Sequence, residues 1–320
     1  MNALGIVTPF WLDRPDREAL DIALAAEEHG FGQLWIGEMA TFDAFALATA
    51  VAVGTERIGL RIGPLPAGVR SPVSLALGVS SVATLGRAPV GLALGGSSPA
   101  IVHGWHDRPW EHGAPRMRET VAAVRTVLSG QRLAVSGDHV RSNGFRLRQA
   151  LPEIPITVAA FGRAMTRVAA EVADEVVLNL VPVEHVARVR EQLDEQARAV
   201  GRTPPPLAVW VPAALEPGTA ALRQLAAQVS VYLSPPGYGE LFSALGYREL
   251  VEAARSGVPR AGLAAAVPAG LLRVIGAFGG PAEIRERIAA YHEAGAGHVG
   301  LVPATAEDPG GRRLLREVAR

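Results

Sequence analysis

The residues best equipped for chemistry gather after one apolar run. Pro89-Val-Gly-Leu-Ala-Leu94 breaks into Gly95-Gly-Ser-Ser-Pro99 and leads to His103-Gly-Trp-His106. Paired glycines at a strand's end let the backbone pass close to a ligand, and the hydroxyls, indole and imidazoles that follow are groups from which binding sites are built. Imidazole moves protons near neutral pH, so His103 and His106 are candidate proton-transfer residues. Either also fits a structural or surface role. His-x-x-His with Glu111 and His112 nearby has metal-binding residue types, but nothing in the spacing defines a coordination geometry and no metal is expected.

Composition removes whole classes of mechanism. All 31 basic side chains are arginine, and neither lysine nor cysteine occurs in the 320 residues. A Schiff-base lysine, a P-loop lysine, a thiol nucleophile, an iron–sulfur cluster and a disulfide are therefore impossible. The 31 acidic side chains bring the formal charge to zero, and 49% of residues are hydrophobic. That balance predicts a large core and no nucleic-acid footprint. No basic region followed by an apolar run precedes Leu4-Gly-Ile-Val7, and Val258 to Gly280 carries Pro259, Arg260, Pro268 and Arg273. The expectation is a cytoplasmic protein without a membrane span.

The elements that must position these residues alternate along the chain. Apolar runs predict strands at Leu4–Pro9, Gln33–Glu38, Ile58–Leu65, Pro89–Leu94, Ile156–Ala160, Val176–Leu180, Leu207–Pro212 and His298–Pro303. Between them lie helical stripes: Met117, Val121, Val124, Leu128; then Val186, Val189, Leu193, Ala197, Val200; then Ile284, Ile288, Tyr291, with Pro281 and Gly295 at the ends. Strands apolar on both faces and separated by helices argue for a buried parallel sheet, and eight such units for a closed (β/α)8 TIM barrel forming a single domain over 1–320. Two stretches exceed what a plain barrel needs. Gln131 to Pro155, after the fourth helix, alternates as an antiparallel excursion. Thr219 to Gly257, after the seventh strand, predicts two extra helices joined by Ser234-Pro-Pro-Gly-Tyr238, placed where a substrate lid would lie or where a dimer contact would form.

Several pieces in chain order carry a resemblance to a known family. They are Leu85-Gly-Arg-Ala-Pro-Val-Gly-Leu-Ala-Leu-Gly-Gly-Ser-Ser-Pro99, Ile101-Val-His-Gly-Trp-His106, Arg116-Met-Arg-Glu119, Ala159-Ala-Phe-Gly162, Ala170-Glu-Val-Ala-Asp174, Val231-Tyr-Leu-Ser-Pro-Pro-Gly-Tyr238 and Arg285 to Gly295. The chain resembles the bacterial luciferase-like family, and within it the oxidoreductases that use the deazaflavin coenzyme F420. The resemblance implies a cofactor ring across the mouth of the barrel, with a cis peptide at Gly63-Pro64 forming a bulge behind it, where the residues by themselves favour an ordinary trans turn before Leu65-Pro66. It also implies a cofactor phosphate at the helix start after the fifth strand, around Ala159, Phe161, Gly162 and Arg163, where free N–H groups attract an anion. A plain helix cap with a solvated arginine fits that loop too. Gly96, Ser97, Ser98 and Asn179 complete the expected cofactor set, and Arg70 is a weaker candidate for the coenzyme's acidic tail.

Departures narrow the substrate. The sugar-phosphate dehydrogenases of the deazaflavin branch have a histidine after the second strand and a glutamate after the fourth, where this chain has Met39 and Ser98. Their phosphate-holding lysines are absent, with Pro182 at one such position. A proton-transfer group must then come from Glu38, His103 or His106. Trp11, Met39, Trp105 and Tyr238 are expected to line an apolar pocket for an uncharged organic molecule. The expected function is hydride transfer with F420 in a homodimer. An FMN-dependent monooxygenase is the first alternative, and a cofactor-binding protein of the same fold without catalysis is the second.

Overall fold

The computed structural model describes residues 3–319. The first half runs β1 (Ala3–Val7), α1 (Glu18–Glu28), β2 (Gln33–Ile36), α2 (Ala44–Gly54), β3 (Gly59–Pro66), α3 (Pro72–Leu85), β4 (Val90–Gly95) and α4 (Gly113–Leu128). A short hairpin of β5 (Ala134–Ser136) and β6 (Arg141–Asn143) precedes β7 (Ile156–Ala159), α5 (Gly162–Val172), β8 (Glu175–Asn179), α6 (Val183–Ala199) and β9 (Leu207–Leu215). Five helices follow: α7 (Thr219–Tyr232), α8 (Tyr238–Phe242), α9 (Arg248–Arg255), α10 (Arg260–Ala266) and α11 (Ala269–Ile275). The chain ends in β10 (Ala277–Gly279), α12 (Pro281–Glu293), β11 (His298–Pro303) and α13 (Arg312–Val318).

Eight parallel strands close on themselves in the order β1-β2-β3-β4-β7-β8-β9-β11, with β11 returning to β1 through Ala3 opposite His298 and β8 joined to β9 through Asn179 opposite Trp210. This is the expected (β/α)8 barrel. Its strands are apolar on both faces because one face meets the helices and the other fills the lumen; every residue of β4 and β11 is buried. Met117, Val121, Val124 and Leu128 lie buried along α4, as their spacing predicts. Val200 departs from the stripe. It caps α6 and is half exposed, because the helix has already ended at Ala199.

Lumen and surrounding layer form two apolar clusters. Strand faces directed outward pack against α1 to α6, whereas Val7, Trp35, Ala93, Val177, Ala208 and Trp210 join a second cluster with the helices that follow β9. That insertion therefore sits on the lumen's contents. The hairpin after α4 matches the expected excursion, but the insertion after β9 is not two helices. It holds three within Thr219 to Gly257, and Pro259 and Pro268 then sit at the N-caps of two more, where a residue without N–H begins a helix at no loss. The three-residue β10, too short for a periodic signal, extends the sheet beside the end of β9. Among the described residues no helix is long and apolar enough to cross a membrane.

Candidate active site

A cavity of about 940 Å³ opens at the C-terminal ends of the strands. Its floor begins at β3, whose register with β4 shifts between Ile62 and Leu65. The Gly63–Pro64 bond there is cis, as expected, and Pro64 faces the cavity. Gly63 has φ +121°, and a Cβ on it would lie 2.2 Å from the Ala93 carbonyl oxygen, so the bulge needs glycine both for its backbone conformation and for its closeness to β4.

The loop after β4 supplies one wall. Gly96, Ser97 and Ser98 line the cavity, Ser97 in the left-handed region at φ 56°, and the Trp110 indole N–H donates to the Gly96 carbonyl at 3.1 Å. A π-helical turn, Ala100–Trp105, carries His103, and His106 caps its C-terminal end. They part company there. His106 and the exposed Trp105 border the cavity, while His103 leaves the turn on another side and borders none of it.

The opposite wall starts where β7 ends. Ala159, Phe161 and Gly162 line the cavity, and α5 begins at Gly162 with no side chain capping its N-terminus. The first-turn N–H groups thus face outward unpaired by a cap, with the positive end of the helix dipole behind them. Arg163 lies exposed outside the lining, so the charge expected from it does not reach the cavity.

Electrostatics reorganise the remaining candidates. Glu38 lines the cavity, but its carboxylate accepts from Arg70 at 2.6 Å and from the Ala44 N–H at 2.9 Å. Asp43 takes the same guanidinium. Burial works against ionised Asp43, yet the Arg70 hydrogen bond, the Ala46 N–H and the Arg70 charge together hold its carboxyl below the usual range. Glu38 is thus held as an ion-pair partner rather than presented as a free acid, and Arg70 is not free for an acidic tail. Arg116 contrasts with it. Its side chain borders the cavity, donates to the His139 carbonyl at 3.3 Å, has no carboxylate partner among the described residues, and keeps a buried Nε without a hydrogen bond.

Met39, Asn179 and Tyr238 line the cavity as expected, and Trp11 does not. The Trp11 indole is buried and donates to the Pro303 carbonyl at 2.9 Å, joining the loop after β1 to the end of β11. Trp210, Trp110, Tyr232 and Arg116 are cavity residues that the motifs did not single out. Arg116 and Tyr232 stood inside matched segments without an assigned role, and Trp210 was hidden in a strand that reads as uniformly buried. Among the described residues no three histidine, aspartate or glutamate side chains converge as metal ligands.

A flat ring with a polar edge and a phosphate fits this set of two donors and one acceptor. Asn179 Oδ1, Trp210 Nε1 and Arg116 Nε are buried polar atoms left without partners, and the cradle at α5 is uncapped. The luciferase-like monooxygenase family model matches residues 6–298. The chain belongs to that family. A curated relative, 5,10-methylenetetrahydromethanopterin reductase from Methanolobus tindarius, is 26% identical over 187 residues, covering 57% of this chain and 56% of its own length. The chain thus spans about half the length of that relative. The structure of a coenzyme F420 dependent tetrahydromethanopterin reductase from Methanopyrus kandleri superposes with a TM-score of 0.82 at 19% identity, covering 99% of this chain and 97% of its own. The oxygenating constituent of 3,6-diketocamphane monooxygenase from Pseudomonas putida, in complex with FMN, superposes at 0.72 with 17% identity, covering 100% and 97%.

Proposed function

We propose that this protein is an F420-dependent oxidoreductase that transfers a hydride between the coenzyme and an uncharged organic substrate. The observation that carries the reading is the pairing, in one cavity, of a glycine-proline bulge at the end of β3 with an uncapped helix start at α5 and the unpaired Arg116. Pro64 and Gly96 would hold a flat ring. The N–H groups from Gly162 onward and the Arg116 guanidinium would hold its acidic side chain. When bound, the coenzyme supplies the hydride-carrying carbon, and the protein supplies position and a dry wall. Family membership supports the reading, as do the F420-dependent reductase among its structural neighbours and the reductase among its curated relatives. His106 is the titratable side chain on the β4 wall that is free of an ion pair and borders the cavity. We assign it the proton.

The reading places the protein in the cytoplasm as a homodimer; α1 to α3 expose Leu24, Val53, Leu77 and Leu85, apolar groups suited to a subunit contact. An FMN-dependent monooxygenase is the second reading, favoured by the FMN-bound neighbour. Titration of the purified protein with F420 and with FMN, followed by quenching of ligand fluorescence, decides between them. Submicromolar binding of F420 is expected. Submicromolar binding of FMN alone overturns the first reading.

A further inference from the structure

The insertion after β9 brings two phenols to the end of β8. Tyr232 closes α7 and Tyr238 opens α8, and the Ser234-Pro-Pro-Gly237 turn between them sets the rings edge to face with centroids 4.8 Å apart. Phe161 meets Tyr238 at 4.5 Å, and a Cβ on Gly237 would lie 2.7 Å from the Phe161 ring, so this segment is seated directly on the start of α5. Aromatic contacts thereby fix both rings and leave the hydroxyls as the variable ends.

Polar groups beside them are unsatisfied. The Asn179 amide is the near polar neighbour of both hydroxyls, yet its buried Oδ1 accepts nothing, so neither phenolic proton is given to it. Trp210, opposite Asn179 in the strand register, has a buried Nε1 that is also without a partner. Burial pushes both phenols up from their ordinary range, which keeps their protons in place at neutral pH. Val231, Pro235 and Pro236 add apolar surface; of the charged side chains that line the cavity, Glu38 and Asp43 are bound to Arg70, Glu111 lies 3.9 Å from His112, and Arg116 has no carboxylate partner among the described residues. A neutral acceptor oxygen here would satisfy the Trp210 N–H and the two phenolic O–H groups, none of which donates to a protein acceptor among the described residues, and it would enter without giving up the hydration of a full charge.

We propose that Tyr232 and Tyr238 form a paired donor site for the oxygen of an uncharged carbonyl ligand. This deepens the redox reading by naming the substrate class, a neutral ketone or enone. The same chemistry is offered by a ring carbonyl of the cofactor, and the two sources are separable.

The test uses Tyr232→Phe and Tyr238→Phe, which retain ring packing, with an unchanged thermal midpoint as the control for folding. Cyclohexanone and cyclohexanecarboxylate serve as matched neutral and anionic probes, read by saturation-transfer NMR on free and F420-loaded protein. F420 affinity is read separately by fluorescence quenching. Each variant is expected to weaken cyclohexanone binding about fivefold or more with F420 affinity unchanged, and the carboxylate is expected to bind far more weakly than the ketone. Weakened F420 binding with ketone binding intact also upholds the donor site and assigns the oxygen to the cofactor. Unchanged binding of both ligands, preference for the carboxylate, or a wild-type protein that takes up neither ketone nor F420 overturns it. A wild type that binds the ketone through its tyrosines but binds neither F420 nor FMN keeps the donor site and removes the redox reading.

Discussion

Arg70 Nη2 lies 2.6 Å from Glu38 Oε2, and this contact decides what Glu38 can do. A carboxylate held by a guanidinium and by the Ala44 N–H is structural wall, not a free acid. Glu38→Gln is therefore expected to leave the pH profile of turnover unchanged, while His106→Asn alters it. Arg70→Met leaves Glu38 and Asp43 facing each other's charge, and a loss of about 1–2 kcal/mol is expected because the group is only partly buried. Urea unfolding of the three variants, with pH–rate profiles of the first two, checks this. A shifted profile for Glu38→Gln would restore Glu38 as the acid.

Deeper in the lumen, the Trp35 indole donates to His298 Nε2 at 3.1 Å, so the imidazole must be neutral with its proton on Nδ1. Burial, reinforced by the charges of Arg61 and His292, pushes this histidine down to about 4. Unfolded, it titrates near its ordinary value of about 6.5. Between those values the unfolded chain takes up a proton that the native one refuses, so stability is fully present above about pH 6.5 and falls as the pH drops toward 4. The total is on the order of 3 kcal/mol. Urea midpoints at pH 7, 5.5 and 4.5 should show this component in the wild type and lack it in His298→Gln. Parallel losses in the two proteins would assign it elsewhere.

The start of α5 is tested by charge at constant shape. Gly162 has φ +76°, where any side chain is strained, and its Cβ direction is open. Asparagine and aspartate tolerate that conformation about equally, so Gly162→Asn measures the strain and Gly162→Asp adds the charge. Affinity for F420 is expected to be at least about tenfold lower in the aspartate variant than in the asparagine variant, about 1.4 kcal/mol. Equal affinities would mean that no anion sits at this helix start.

Gly63 makes a contrasting pair with Gly144. Both have positive φ, +121° and +90°, but a Cβ on Gly63 would collide with the Ala93 carbonyl whereas nothing lies within 4 Å of one on Gly144. Gly144→Ala is expected to cost about 1 kcal/mol and Gly63→Ala about 3 kcal/mol or more, with loss of cofactor binding. Thermal unfolding measures the difference. Similar midpoints would show that β3 and β4 can separate at the bulge.

Local pattern was enough to determine the barrel. Strands buried on both faces and helices with one apolar stripe repeat eight times, and each is legible because burial imposes a period within a few residues: α4 is written in Met117, Val121, Val124 and Leu128. The glycine at the start of α5 was likewise legible, since its positive φ is a local backbone demand. Which side chains meet in the cavity was not, because barrel closure decides it. Trp11 was expected at the pocket, and instead it bonds to Pro303 across 292 positions. Glu38 was one of three candidate proton-transfer groups, and Arg70, 32 positions away, holds it. His103 and His106 stand three apart, one inside the π-helical turn and the other at its C-cap, and only His106 borders the cavity. Periodicity reports the face a residue occupies on its own element; the neighbour across that face is set by the register of strands far apart in the chain.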